Sequence, residues 1–127
     1  MDNLRFFICN RCKNIVTFLN FSGMIPACCG DTMSELLPGA IDAAKEKHIP
    51  VIKVEGNKVT VNVGSAAHPM TAEHYIQWIM IQTENGTQRK ELKPGDAPAA
   101  EFALVKGDKA VIAYAYCNLH GLWRAEI

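Results

Sequence analysis

Cysteine and histidine, the side chains best suited to hold a transition metal, fall into two groups in this chain. The first group has four cysteines in the pattern C-x2-C-x15-C-C: Cys9, Cys12, Cys28 and Cys29. The second combines every histidine with the remaining cysteine in the pattern H-x19-H-x5-H-x42-C-x2-H: His48, His68, His74, Cys117 and His120. Thiolates and neutral imidazoles bind zinc and iron in proteins. The sequence therefore predicts two metal sites.

The four-cysteine group is a strong metal signal, because a C-x2-C spacing lets two thiolates and their flanking N–H groups surround one ion. The adjacent pair Cys28 and Cys29 is unusual, since successive side chains of an extended chain point to opposite faces. Both can bind one ion only if the backbone turns sharply, and Gly30 directly afterwards is suited to such a turn. From these residues alone, a structural zinc and an iron are equally compatible with the group, and disulfides are disfavoured.

The second group has one ligand too many for tetrahedral zinc, and a set of five suits redox iron better. A single histidine is more often a surface or core residue than a ligand. Here, however, the histidines lie where extended segments become loops; His68, for example, precedes Pro69. Cys117 and His120 are close enough in sequence to hold one ion from a single tight turn.

Three charged residues, Lys45, Glu46 and Lys47, come directly before His48. On composition alone, a solvated run of charges is the simplest interpretation. Beside a redox metal, a lysine would attract an anionic substrate, and a mobile glutamate could occupy an open coordination position. Glu46 and Lys47 are therefore candidate catalytic residues.

The overall composition excludes several classes of partner. Lys plus Arg and Asp plus Glu both number 13, so the formal charge is zero and there is no electrostatic signal for nucleic acid. No apolar run approaches the roughly 20 residues of a membrane helix, and the first eight residues do not resemble a signal peptide. An odd number of cysteines with a vicinal pair fits metal binding in a reducing compartment. We expect a cytoplasmic protein that binds neither membranes nor nucleic acid.

The chain is expected to be mainly β and to contain two domains. Residues 1–36 hold four of the five cysteines and predict a small metal-stapled domain of short strands and turns. Residues 37–127 form the second domain, and its first part, 37–47, is expected to be an irregular linker.

Period-two alternation predicts the strands of the second domain. Val59, Val61 and Val63 alternate with polar residues, and Gly56-Asn57 separates this run from residues 48–54, which predicts a hairpin. Residues 74–83 are interpreted as a strand ending at Asn85-Gly86, a dipeptide suited to a two-residue turn with positive φ. Further strands are predicted at 101–105, 109–117 and 122–126. About seven short strands predict an antiparallel β-sandwich of immunoglobulin type.

Several segments resemble successive blocks of the desulfoferrodoxin family, in its two-iron class of superoxide reductases. The N-terminal C-x2-C…C-C segment resembles the rubredoxin/desulforedoxin-like module of that family. Five further blocks resemble the neelaredoxin-like domain of the family: KEKHIPVI (45–52), GSAAHPM (64–70), EHYIQW (73–78), LKPGDAP (92–98) and YCNLHGLW (116–123). The resemblance covers nearly the whole chain.

The resemblance implies two mononuclear iron ions per chain. One would be held by the four cysteines as centre I, and the other by the four histidines and Cys117 as centre II. It implies one-electron reduction of superoxide to hydrogen peroxide at centre II, without release of dioxygen. Glu46 would bind the resting iron and Lys47 would guide the substrate. Hydrogen bonds from the backbone N–H groups near Asn118, Leu119 and His120 would weaken electron donation by the Cys117 sulfur.

The resemblance also implies partners. A small electron donor such as rubredoxin would restore the electron that superoxide consumes, and a homodimer is expected. Two other classes of function remain compatible with the same residues: a small iron electron-transfer protein and a structural zinc-binding protein.

Overall fold

The computed structural model describes residues 3–127, which form two compact units divided after Leu37. Antiparallel strands make up nearly all of the regular secondary structure of both units, which confirms the prediction of a mainly β fold. The one helix among the described residues, α1 (Lys45–His48), is a single turn. It is far too short to cross a bilayer, and no other described segment forms a helix that could do so.

The first unit contains five short strands in two sheets. They are β1 (Phe6–Ile8), β2 (Ile15–Thr17), β3 (Ala27–Cys28), β4 (Asp31–Thr32) and β5 (Ser34–Leu36). The first sheet has the order β2-β1-β5, and β3 and β4 form a separate hairpin. Phe7, Cys9 and Met33 form a small buried cluster in this unit, and the Phe18 ring packs edge-on against Phe7 at a centroid distance of 5.3 Å. An apolar core this small supplies little stability, so a unit of this kind depends on a staple.

The second unit is a two-layer sandwich. Its strands are β6 (Pro50–Glu55), β7 (Lys58–Val63), β8 (Ile76–Thr83), β9 (Thr87–Glu91), β10 (Ala99–Ala103), β11 (Ala110–Cys117) and β12 (Gly121–Glu126). One sheet has the order β10-β7-β6 and the other β12-β11-β8-β9, with every neighbouring pair antiparallel. The predicted sandwich is therefore present, with seven strands.

Alternating residues of both sheets form the core between the layers. On β7 these residues are Val59, Val61 and Val63, all fully buried. On β11 the same alternation runs through Ala113 and Ala115 to Cys117. Cys117 is thus the last inward-facing residue of its strand, at the end of the sandwich where the chain turns toward β12.

The predicted hairpin around Gly56-Asn57 is present, since Glu55 pairs with Lys58 across the turn. Its first strand begins at Pro50, however, and not at residue 48. Residues 45–48 form the helical turn instead, in which the Ile49 N–H donates to the Lys45 carbonyl at 2.9 Å. The helix ends there because the residue before a proline disfavours helical dihedrals, and Ile49 is extended.

The prediction for Asn85-Gly86 is wrong. The last pair of the β8–β9 hairpin is Gln82 with Thr87, so the connection is longer than two residues, and neither Asn85 nor Gly86 has a positive φ. The Thr83 hydroxyl explains the wider turn, because it accepts from the Asn85 N–H at 3.3 Å and donates to Asp108 at 2.8 Å. A tertiary contact thus overrides the local turn preference.

Two strands of the second unit differ from their predictions. The strand expected at 101–105 is β10, shifted toward the N-terminus, where Ala99 and Ala100 pair with Asn62 and Val61. Alanine gives a weak hydrophobic signal, which explains the shift. β9 was not predicted at all, because its sequence, TQRKE, contains no apolar residue and it is recognisable only by its pairing with β8.

Candidate metal centres

The first unit brings all four of its cysteines together. Cys9 and Cys12 lie in the loop between β1 and β2, Cys28 ends β3, and Cys29 follows in the turn to β4. Their four Sγ atoms all lie within 4.8 Å of one another. We call this group the four-cysteine cluster. Cys9 is buried whereas Cys12 and Cys29 are exposed, so the cluster sits at the surface of its unit.

A tight turn allows the adjacent residues Cys28 and Cys29 to face the same metal ion. Cys28 pairs with Asp31, so Cys29 and Gly30 are the two central residues of the hairpin turn. Both have positive φ, +52° and +81°, as the type I′ turns of two-residue hairpins require. The turn brings the Cys29 Sγ to 4.0 Å from the Cys28 Sγ. The sharp turn that a shared ion demands therefore begins at Cys29 itself.

Hydrogen bonds within the four-cysteine cluster change the pKa values of its thiols. The Cys12 N–H donates to the Cys9 Sγ at 3.5 Å, which is the main reason that the pKa of Cys9 is lowered to about 6. The pKa of Cys29 is raised to about 12, chiefly by its side-chain hydrogen bond with Cys12. Four negative thiolates cannot share this space without a cation, and a metal ion supplies it. The donor set fits a tetrahedral metal.

The second unit brings together the other five candidate ligands. They come from α1, from the β7–β8 loop, from the end of β11 and from the turn to β12: His48, His68, His74, Cys117 and His120. One ligand atom from each lies within 4.8 Å of all the others. We call this group the His4Cys cluster.

Backbone carbonyls fix the orientation of two of the imidazoles. His48 Nδ1 donates to the Ala44 carbonyl at 2.7 Å, and His68 Nδ1 donates to the Pro69 carbonyl at 2.6 Å. Because these nitrogens carry the proton, each Nε2 presents a lone pair to the centre of the cluster. The two Nε2 atoms are 3.2 Å apart, a separation that two lone pairs tolerate only with a proton or a cation between them.

His74 gives the most direct sign that the cluster accommodates a metal. Its Nε2 is buried, and no hydrogen-bond partner for it exists in the described part of the chain. A buried polar atom without a partner costs free energy, and such atoms are rare in folded proteins. A metal ion at the centre would satisfy this nitrogen together with those of its neighbours. The donor set and its geometry therefore fit a five-ligand site.

Burial favours the neutral form of three of the imidazoles, which is the form that binds a metal. It lowers the pKa of His48 and His74, and that of His68 to about 4. Burial raises the pKa of the Cys117 thiol, while backbone N–H groups of Leu119 and His120 donate to its sulfur and oppose that shift. Two of the expected hydrogen bonds to this sulfur are thus present. The third expectation is wrong, because the Asn118 N–H donates instead to the Tyr75 carbonyl at 3.3 Å.

The candidate catalytic residues Glu46 and Lys47 lie on α1 with exposed side chains. The Lys47 charge lowers the pKa of both His48 and His74, although burial contributes more at each. The Glu46 charge acts in the opposite direction on His48. Both charges therefore act on the His4Cys cluster.

Gly64 allows the loop after β7 to pack closely against α1. A Cβ on Gly64 would lie 2.7 Å from the Glu46 carbonyl oxygen and 2.9 Å from that of Ile49. The same Glu46 carbonyl accepts the Ala66 N–H at 2.8 Å. The loop after β7 thus packs directly against the turn that carries His48.

Sequence reasoning did not assign the side chains of Trp123 and Asn118 to the site. The Trp123 ring packs against His48 at a centroid distance of 5.0 Å, and its Nε1–H donates to the His120 carbonyl at 3.0 Å. Asn118 lies between two ligands in sequence and binds the backbone around a third, His74. The one available signal for both was their place in the YCNLHGLW segment that contains Cys117 and His120.

Two small β units, one with a cluster of four thiolates and the other with a cluster of four imidazoles and one thiolate, define a metalloprotein with two metal centres. The family model for desulfoferrodoxin matches residues 40–126. The chain is 50% identical over 118 residues to desulfoferrodoxin from Nitratidesulfovibrio vulgaris, which is 93% of this chain and 92% of that protein. It is 48% identical over 122 residues to a desulfoferrodoxin homologue from Archaeoglobus fulgidus, 96% of each chain.

The structure is also similar to the crystal structure of the superoxide reductase from Treponema pallidum. The TM-score is 0.84 and the sequence identity is 43%, over 98% of this chain and all of that one. The chain belongs to the desulfoferrodoxin family, which confirms the resemblance seen in its sequence. The expected pair of iron sites agrees with the two clusters.

Proposed function

We propose that this chain is a superoxide reductase that converts superoxide to hydrogen peroxide at the His4Cys cluster. The observation that carries the proposal is the convergence of four imidazoles and one thiolate within 4.8 Å. The likeness to the Treponema pallidum superoxide reductase over 98% of the chain supports it. In the reaction, superoxide takes up one electron and two protons, and no dioxygen is released. The protein must therefore be re-reduced by an external donor after each turnover.

The five side chains of the His4Cys cluster would hold iron as centre II. Iron bound there supplies the electron, because it changes oxidation state within a single ligand set. The neutral imidazoles add no negative charge that would repel an anionic substrate. The Cys117 sulfur is shielded from solvent, and the N–H groups of Leu119 and His120 limit the negative charge that it carries.

Lys47 and Glu46 act on the substrate and on access to the site. The Lys47 ammonium is exposed, and its charge acts on His48 and His74, so it attracts the superoxide anion toward the cluster. Glu46 is a neighbouring exposed carboxylate that would bind the resting iron. Its carbonyl accepts the Ala66 N–H, which fixes the backbone from which this side chain extends.

Residues 1–36 form a domain for a four-cysteine iron, centre I, and residues 37–127 form the reductase domain, with 37–47 as the linker. Centre I relays electrons at most, because four thiolates complete a tetrahedral metal site and leave no position for a substrate. The compact unit that ends at Leu37 supports this division. The physiological donor is a small electron carrier such as rubredoxin.

The chain acts as a homodimer in the cytoplasm. Leu19 and Met24 of the first unit are 102% and 78% exposed, and large apolar side chains in that state are typical of an interface. Five free cysteines, four of them in one cluster, are stable as metal ligands only in a reducing compartment. Sedimentation equilibrium tests the dimer, which a monomeric mass would contradict.

Pulse radiolysis of the iron-loaded, prereduced protein tests the reaction itself. We expect one hydrogen peroxide per superoxide consumed, with oxidation of one mononuclear iron. One peroxide per two superoxides, with dioxygen evolved, would identify a dismutase. Unaccelerated decay of superoxide would leave only the electron-carrier and structural alternatives.

A further inference from the structure

The Asn118 side chain is hydrogen-bonded to the backbone on both sides of His74. Its Oδ1 accepts the N–H of Tyr75 at 2.9 Å, and its Nδ2 donates to the carbonyl of Glu73 at 2.9 Å. The backbone N–H of Asn118 adds a third bond, to the Tyr75 carbonyl at 3.3 Å. One residue therefore holds both peptide groups that flank the histidine.

Asn118 directly follows Cys117 in the chain. The three hydrogen bonds consequently join the turn that carries Cys117 and His120 to the segment that carries His74, 43 residues earlier. Without these three hydrogen bonds, the two segments are connected through the pairing of Cys117 with Ile76, at a point where the β8–β11 register is irregular. These hydrogen bonds lie beside one of the two irregular points of the β8–β11 ladder.

His74 needs such support more than His48 and His68 do. His48 and His68 are each oriented by a ring nitrogen that donates to a carbonyl. Within residues 3–127, no hydrogen bond to either ring nitrogen of His74 is found, and its Nε2 is buried without a partner. The position of the His74 ring therefore depends on its backbone, which is held by Thr71 on one side and Asn118 on the other.

We propose that Asn118 is a positioning residue that sets the distance between the His74 and Cys117 ligand atoms and thereby the metal affinity of the His4Cys cluster. The inference rests on the proposed metal site and is independent of the reaction with superoxide. Partners that orient metal ligands change affinity by roughly 10–100-fold when they are removed. We expect an effect of that size at the His4Cys cluster and no effect at the four-cysteine cluster.

The test uses the full chain, freed of metal and titrated anaerobically with Co²⁺ against a chromophoric chelator. Co²⁺ held by one thiolate and by four thiolates absorbs differently, so both clusters are measured in one sample. We expect Asn118→Ala to weaken Co²⁺ binding at the His4Cys cluster by about 10–100-fold and to shift its thiolate charge-transfer band. Asn85→Ala is the matched control, because it also removes a side-chain amide hydrogen bond, to Asp108, at the opposite end of β8.

A double-mutant cycle separates positioning from general destabilisation. If Asn118 acts through His74, Asn118→Ala has no further effect on Co²⁺ binding in a His74→Ala background. An unchanged affinity of the single variant, or an equal loss in the His74→Ala background, would overturn the proposal. Should Asn118→Ala not fold, Asn118→Asp retains the acceptor for the Tyr75 N–H, removes only the donor to Glu73, and is judged by the same two criteria. Because no superoxide is used, failure here leaves the proposed reaction standing.

Discussion

The two units each present the ligands of one metal ion, but they position those ligands in different ways. The four-cysteine cluster lies on loops at the surface of a unit with few buried residues, one of which is the ligand Cys9. The His4Cys cluster lies at the end of a sandwich whose core of twelve buried residues includes Cys117. In the first unit the metal replaces a core, whereas in the second the core positions the ligands. A site that must react with a substrate is thus built on the more rigid scaffold.

Removal of the metals should reveal this difference most strongly. Binding to a structural thiolate site contributes on the order of 10 kcal/mol to folding. Without metal, the first unit should therefore lose protection from hydrogen exchange at β1, including the buried Phe7 and Ile8. The sandwich should keep it at β7 and β11. Equal loss of protection in both units would contradict the comparison, and return of protection on adding Zn²⁺ serves as the control.

The metal-free sandwich should lose stability in acid because of its buried histidines. The pKa of His68 is about 4 in the folded protein, against an ordinary value of 6.5. Between these values the unfolded chain binds more protons, so the free energy of unfolding falls as the pH falls from about 6.5 to about 4. His68 alone accounts for about 3 kcal/mol, and this destabilisation is absent above its ordinary pKa.

Both tryptophans lie in the second unit, so their fluorescence during urea unfolding reports this loss for the sandwich alone. The variant His68→Gln should reduce the pH dependence, because an uncharged amide takes the place of the titrating ring. A wild-type stability that stays constant from pH 7 to about 4 would contradict the account.

The smallest expected effect concerns Lys47, which distinguishes the reactive cluster from the structural one. Lys47→Ala should slow the reaction with superoxide by about tenfold at low ionic strength, because the attraction of the anion is lost. The salt dependence of the rate should flatten at the same time. Stopped-flow or pulse-radiolysis rates across a series of salt concentrations measure both quantities.

Two variants make the Lys47 result specific. Lys47→Arg keeps the charge and should keep most of the rate. Lys106→Ala removes an exposed lysine in the turn before β11, at the end of that strand opposite to Cys117, and should leave the rate unchanged. Equal losses for Lys47→Ala and Lys106→Ala would mean that the overall charge matters and that Lys47 has no particular role.

The same contrast explains how much could be predicted from the sequence. The ligands could be predicted because cysteine and histidine are rare residues whose side chains bind metals. The structure brings all nine into the two expected groups. The sandwich could be predicted because inward-facing apolar residues alternate with polar ones along its strands, as at Val59, Val61 and Val63. What remained hidden depends on tertiary contacts. The Thr83–Asp108 hydrogen bond widens the turn at Asn85, and polar β9 is a strand only through its partner.

The residues that support the ligands were hidden for a similar reason. Asparagine at position 118 has many ordinary roles in turns, and nothing local shows that it reaches the backbone on both sides of His74. For Trp123, a simple core position was the preferred interpretation from the sequence. The need for Gly64 follows from the approach of the Glu46 carbonyl, which no local pattern indicates.

The central claim is that the reaction with superoxide belongs to the His4Cys cluster alone. The most direct test is the second-order rate constant for superoxide consumption by prereduced protein, measured by pulse radiolysis for Cys12→Ser and for His48→Ala. The account predicts a rate near that of the unmodified protein for Cys12→Ser, which alters only the four-cysteine cluster, and no accelerated consumption for His48→Ala. Rapid consumption by His48→Ala, or its loss in Cys12→Ser with the sandwich still folded, would contradict it.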